Sequence, residues 1–396
     1  VNRRQFLITS ALALASPIRS HSQSNGITIF LCGDVMTGRG VDQILPHPSA
    51  SELRERYVVD AKQYVTLAEQ VSGPIAKPVD YAYIWGDALD GLRAADVRIV
   101  NLETAITTSD RFLPGKAIHY RMNPENIPCI TRAEIDCCVL ANNHVLDFGP
   151  EGLSQTLSSL EDAGIRVAGA GRDADAAAAP AVLDLPGRGR ILVFAYASPT
   201  AGVPSDWAAT SEKAGVNLLG GLDRNRVRRI AAAVHAMKRP GDIAIASLHW
   251  GGNWGYRIES DEIAFAHQLV DEAGIDIVHG HSSHHPKAVE IYHGHPIIYG
   301  CGDLINDYEG IPGYEEFRSD LTLMYFMTVD PTQARLTRFE MIPMQTRALR
   351  LRRPSRSDVG WLATMLSREG ERFGTRVEPL GSRALALHWR RGSPSR

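Results

Sequence analysis

The sequence predicts an α/β fold of stacked layers, and two observations carry that expectation. Apolar, β-prone runs alternate with stretches of helical period through the first two thirds of the chain. In the last third the apolar runs come close together, which marks an antiparallel portion. Alternation of this kind buries its apolar faces by stacking helices against sheets. At 396 residues the chain has room for one large domain or two medium ones. Hydrophobic residues make up 44% and charged residues 22%, the balance of a folded protein rather than a disordered one.

The first element is not part of the fold. Asn2-Arg3-Arg4-Gln5-Phe6-Leu7 precedes a short apolar run ending at Ala15 and Ser16-Pro17. Paired arginines before such a run are the pattern of a twin-arginine export signal. The run is about 10 residues, too short to anchor stably across about 30 Å of hydrocarbon. Cleavage after Ala13-Leu14-Ala15 fits the small-residue rule, with an uncleaved anchor as the alternative.

Mature structure is expected from about residue 26. Strands are read over 27–32, 97–100, 137–141, 243–248 and 275–278, each ending in polar residues. Helices are read over 83–95, 150–163, 224–237 and 263–273, with Gly164 and Gly274 placed to stop two of them. Residues 174–179 read as a short helix or a surface loop. Strands over 288–292, 296–299, 321–329 and 336–343 form the antiparallel portion, and 358–372 is a closing helix.

Charge and cysteine content exclude some chemistry. A net charge of −3 leaves no basic excess to neutralise phosphates, so no nucleic-acid partner is expected. The arginine-rich stretches 347–356 and 390–396 read as a solvated face and tail. Five cysteines without a Cys-x-x-Cys leave at least one unpaired within the chain and give little support to a thiolate zinc site. No Gly-x-Ser-x-Gly elbow, Walker loop or Gly-x-Gly-x-x-Gly follows a strand, so serine hydrolysis and nucleotide cofactors lack support.

The strand ends carry the chemistry. Asp34, in Gly33-Asp34, is a carboxylate delivered after a buried strand, where a turn residue is the plainer reading. Arg39 in the same loop could hold an anionic oxygen or be solvated. Asn101-Leu102-Glu103 puts an amide and an acid on one side of an extended chain. Glu103 could ligate or bridge metals, or serve as a cap or surface charge. Asn142-Asn143-His144 offers Asn143 as a neutral oxygen ligand and His144 as a general acid, against an Asx-turn as the structural alternative. Asp147 is placed to orient His144. His249 follows another apolar run. His279, His281, His284 and His285 fall within seven residues, which a core histidine does not explain. Carboxylate, amide and imidazole gathered at one sheet edge suit Mn, Fe or Zn. Two such ions together could activate water and stabilise a displacement.

The series GDVMTGR, NLET, ANNHVLDFG, HWGGNWG and HGHSSHHPKAVEIYHGHPIIYGCGDLINDYEG resembles the CapA family of poly-gamma-glutamate capsule biosynthesis proteins, within the calcineurin-like metallophosphoesterases. The resemblance implies a four-layer metallophosphatase-like α/β-β-α sandwich with mixed sheets. With the N-terminal export signal read over 1–25, it implies a CapA-like domain over 26–345, and a C-terminal helix and tail over 346–396 packing on that domain, with the helix and a last strand over about 353–389 similar to the tail of one CapA subgroup. It implies metal ligands Asp34, Glu103, Asn143, His249, His281 and His284, with Glu103 at the bridging position and His144 as the acid. One or two divalent transition-metal ions (Mn, Fe or Zn) follow from it. Where the superfamily carries Asp-x-His, this chain has Asp34-Val35-Met36. Ser282-Ser283 separate the final histidines, so His285 competes with His284. Two functions are compatible with the resemblance. One is an exported, periplasmic or envelope-associated enzyme that hydrolyses a phosphoester or amide bond. The other is a non-catalytic accessory protein guiding an anionic polymer during export. Its partners would be an envelope or capsule polymer, its precursors, and a membrane-associated synthesis or export complex.

Overall fold

The computed structural model describes residues 26–390. The export signal expected over 1–25 and the tail 391–396 lie outside them. Among the described residues no helix is long and apolar enough to cross a membrane. The principal strands, in chain order, are β1 (Ile27–Val35), β2 (Val97–Leu102), β3 (Cys137–Val139), β4 (Arg166–Ala168), β5 (Ala181–Leu185), β6 (Gly189–Ala197) and β7 (Ile243–His249). They continue as β8 (Ile277–His281), β9 (Val289–Tyr292), β10 (His295–Ile298), β11 (Leu321–Asp330), β12 (Arg335–Thr346), β13 (Thr375–Leu380) and β14 (Ala384–Trp389). The principal helices are α1 (Lys62–Ser72), α2 (Leu89–Arg93), α3 (Gly149–Asp162), α4 (Arg224–Met237), α5 (Ser260–Asp271) and α6 (Arg356–Gly370).

The strands make two mixed sheets. The first runs β13-β14-β12-β11-β1-β2-β3-β4, with Leu351–Arg352 pairing off β12. It is parallel from β1 to β4 and antiparallel from β1 through β13. The second runs β9-β10-β8-β7-β6-β5, parallel at its centre and antiparallel at both edges. Alternate residues of β6 show how the layers stack. Ile191, Val193 and Ala195 join the core shared with the first sheet, while Leu192, Phe194 and Tyr196 join α4 and α5 through Val227, Ile230, Phe265 and Leu269. On the outer face of the first sheet α2 packs so closely that a methyl added at Gly91 would lie 3.3 Å from Met324 and Ile342. The result is helix, sheet, sheet, helix. Phe265 is the largest side chain that α5 buries, and Phe265→Ala is expected to cost about 3–5 kcal/mol in a urea unfolding series.

Two expectations need correction. The helix read over 83–95 is only α2 and a preceding 3-10 turn, Gly86–Ala88. Gly86 has φ +46° and meets the Leu351 carbonyl where a Cβ would sit, so the approach of the 351–352 strand prevents an earlier helical start. The strand read over 275–278 instead runs to His281, because His279 and His281 continue the parallel register against Ser247 and His249. Beyond α6, residues 375–389 form a hairpin: β14 pairs with β12, β13 with β14, and α6 packs beside them.

All five cysteines are free and buried. Burial pushes each thiol above its ordinary pKa, which suppresses the reactive thiolate. A thiol reagent is therefore expected to titrate none of them in the native protein and all five in urea.

Candidate metal centre

The parallel strands of both sheets end at one place. Asp34 on β1 faces Asn101 on β2 in register, and His249 on β7 faces His281 on β8. Asn143 and His144 follow β3, and His284 follows β8. Asp34, Glu103, His249 and His281 are at most 2% exposed, while Asn143 is half-buried and His144 and His284 keep a small exposed fraction.

Two triads of close ligand atoms form there, Asp34–His249–His281 and Asp34–His284–Asp303. Asp34 is common to both. Its Oδ1 accepts from Asn101 Nδ2 at 2.7 Å and lies 3.7 Å from His281 Nδ1. His284 Nδ1 and Asp303 Oδ1 are 2.9 Å apart. The tautomer of His281 follows from its neighbours. His279 Nε2 donates to the Cys32 carbonyl at 2.7 Å, so its Nδ1 accepts from the Ser247 hydroxyl. That hydroxyl then accepts from His281 Nε2 at 2.9 Å, which leaves Nδ1 of His281 with a free lone pair. This Nδ1 lies 3.0 Å from His249 Nδ1. His279, locked between the two sheets, is structural.

Glu103 belongs to neither triad. Its Oε1 lies 3.7 Å from His144 Nε2 and 3.8 Å from His249 Nε2, and the latter nitrogen is 3.2 Å from Asn143 Oδ1. Asp34, rather than Glu103, is the residue common to the two triads. Asn142 makes the Asx-turn, accepting from the His144 and Val145 amides, and leaves Asn143 turned towards His249. Between the two competing histidines, the structure brings His284 to the triad. His285 has both nitrogens on backbone, donating to the Pro286 carbonyl and accepting from the Gly255 amide.

His144 is held from behind. Its Nδ1 is 2.7 Å from Asp147 Oδ2, and Lys116 reaches Asp147 Oδ1 and the Asn143 carbonyl. Burial pushes His144 down to about 4. Although burial opposes its charge, Asp147 sits below the ordinary carboxylate value because His144 and Lys116 face it. Arg39 stands a layer further back. Its guanidinium bonds Asp307, Glu55 and Tyr64 and stacks 4.5 Å from the Tyr120 ring, whose edge packs on His144. That engagement makes it a support for the site rather than a free anion binder. Met36 lies under Tyr308, whose ring packs edge-on against His284.

Asp303 and Lys116 are the site residues the sequence reading missed. Gly302-Asp303 follows an apolar run as Gly33-Asp34 does, and that repeated pattern was the available signal. Lys116 lies in a loop with no local pattern to mark it.

The donor set fits a divalent cation. Oδ2 of Asp34 and Oε2 of Glu103 are buried with no donor from the rest of the described protein and face each other as two carboxylates, a costly condition unless a shared proton or an ion meets them. Burial, then the like charge of Asp303, pushes Asp34 up to about 7, and burial with Asp34 pushes Glu103 well above the carboxylate range. Burial drives His249 and His281 well below the usual imidazole value, which keeps them in the neutral, ligating form. Excess negative charge beside neutral imidazoles is what a bound cation relieves.

Two mixed sheets between helices, with carboxylates and imidazoles converging where the parallel strands end, define an α/β-β-α protein with a site of metal-ligand type. The chain belongs to the family described as bacterial capsule synthesis protein PGA_cap, which matches residues 28–308. It is 50% identical over 354 residues to the probable polyglutamine synthesis accessory protein of Mycobacterium tuberculosis, a match covering 89% of this chain and 93% of that one. It is 24% identical to the capsule biosynthesis protein CapA of Bacillus anthracis, over 74% of this chain and 62% of that one. A solved structure of a phosphatase from Mycoplasma pneumoniae is similar over 83% of this chain and 95% of its own, at 11% identity and a TM-score of 0.44.

Proposed function

We propose that this protein serves the synthesis of a polyglutamate-type envelope polymer as an exported, metal-dependent hydrolase of a phosphoester or amide bond. The observation that carries this reading is the shared carboxylate: Asp34 joins two ligand triads and keeps one oxygen orphaned in the core. Asp34, His249 and His281 would hold one ion, and Asp34, His284 and Asp303 a second, with Glu103 and Asn143 completing the first. Mixed nitrogen and oxygen donors favour Mn, Fe or Zn. When bound, such ions supply Lewis acidity to an oxygen of the substrate and stabilise the charge that develops there. The chain's own contribution is proton handling. Asp147 favours the Nδ1–H form of His144, so the Nε2 lone pair faces the centre, where it would take up a proton released by the attacking water and pass it to the group that departs. Lys116 holds Asp147 and the Asn143 backbone in place. The paired arginines Arg3-Arg4 support export by the folded-protein route, to a site beside a membrane-associated synthesis or export complex.

The second reading is an accessory role without catalysis, and Met36 in the first motif favours it. The two readings separate in one experiment on the mature protein: metal content, then turnover of poly-gamma-glutamate and of a generic phosphodiester. The hydrolase reading expects bound transition metal and a rate that falls about 10²–10⁴-fold in His144→Ala. Metal-free protein that binds polymer without cleaving it would establish the accessory role instead.

A further inference from the structure

Beside the metal centre lies a second pocket of about 260 Å³, lined by Thr200, Gly251, Trp254, Arg257, Glu262 and Lys287 among others. It is tied to the centre by two short stretches of chain. Gly251 comes two residues after His249, and Lys287 three residues after His284. Asn253 links the two stretches: its carbonyl accepts from the His284 amide, and its side chain reaches His284 Nε2 at 3.1 Å.

Lys287 is the unusual feature. The residue is only 5% exposed, and among the described residues its ammonium makes no hydrogen bond and no direct ion pair, with Glu262 and Glu259 the carboxylates nearest it. Its stem packs on Gly300, and its Nζ lies 3.8 Å from where a Cβ of Gly251 would be, at the pocket wall. Its stem is buried while the ammonium reaches the pocket, so a ligand there meets a cation that no side chain bonds directly. Glu262 lies on the same wall. One of its oxygens accepts from the Glu259 amide as the cap of α5, and the other lies 2.7 Å from that same Gly251 Cβ position. Arg257, by contrast, is already paired with Glu259.

We propose that this pocket is a subsite for an amino-acid unit of the ligand, with Lys287 taking a carboxylate and Glu262 accepting an N–H. The charges select the ligand class. Glu259, Asp261 and Glu262 already crowd this wall, so a singly charged carboxylate that matches one ammonium fits better than a dianionic phosphate. This rests on the polymer reading above and deepens it: the unit held here neighbours the bond presented to the metal centre.

The test uses the mature protein stripped of metal, so that loss of hydrolysis and loss of the subsite are read separately. Trp254 in the pocket wall gives a fluorescence signal on binding. Titration with a γ-linked glutamate oligomer is expected to saturate this signal. Lys287→Met should weaken binding about tenfold or more, and Lys287→Arg should restore most of it, with both variants melting no lower than the parent. Inorganic phosphate should compete poorly. Equal affinity in Lys287→Met, or phosphate competing as well as the oligomer, would overturn the subsite. Binding that survives while the metal-loaded protein shows no turnover would overturn the hydrolase reading and leave the subsite standing.

Discussion

Asp34→Asn is expected to empty both metal positions at once, lowering affinity for divalent transition metal by about 100-fold or more. The change is nearly isosteric, and an asparagine oxygen can still accept from Asn101 Nδ2. What is lost is the only carboxylate common to the two triads. Asp303→Asn and His281→Ala, by contrast, should each weaken one position and spare the other. The metal-free Asp34→Asn protein should melt no lower than the metal-free parent. It removes a buried carboxylate that burial and Asp303 both oppose. The stabilisation that added metal gives the parent should be missing from the variant. Metal analysis after dialysis, paired with melting curves with and without metal, reads both effects.

Gly33→Ala is expected to be the most disruptive small change near the site, at about 3 kcal/mol or more. A Cβ on Gly33 would sit 1.8 Å from the Gly302 carbonyl oxygen and 2.9 Å from Cys301 Cβ. The obstacle is backbone, so no rotamer change relieves it. β1 would have to part from the segment carrying Asp303, although the Asp34 amide donates to that same carbonyl at 3.3 Å. The substitution therefore should spread the two Gly-Asp pairs and weaken metal binding together with the fold. Urea unfolding gives the first effect and metal titration the second. Gly252→Ala makes the control, since the nearest atom to its Cβ position is the Trp254 carbonyl at 4.0 Å.

Much of this site could be read in the sequence because strand ends announce themselves. Asp34, His249 and His281 each close an apolar run, and parallel strands deliver such ends to one edge. The parts that could not be read depend on contacts between distant segments. Asp303 looks like a turn residue until β10 places it against β1. Lys116 acquires meaning only when its loop folds over His144 and Asp147. Arg39 looked free in sequence, yet Glu55 and Asp307 claim it, the latter from 268 residues away. His284 and His285 were indistinguishable by spacing, and only the backbone partners of His285 separate them. The helix misread over 83–95 failed for a similar reason: helical period does not reveal that Leu351 will arrive beside Gly86.

In the function proposed above, Asp34 bridges two metal positions. Anomalous diffraction from crystals of the protein soaked in manganese tests it most directly. Two peaks are expected with Asp34 between them, one against His249 and His281, the other against His284 and Asp303. A single peak away from Asp34, or ions held by Glu103 with Asp34 left bare, would contradict it.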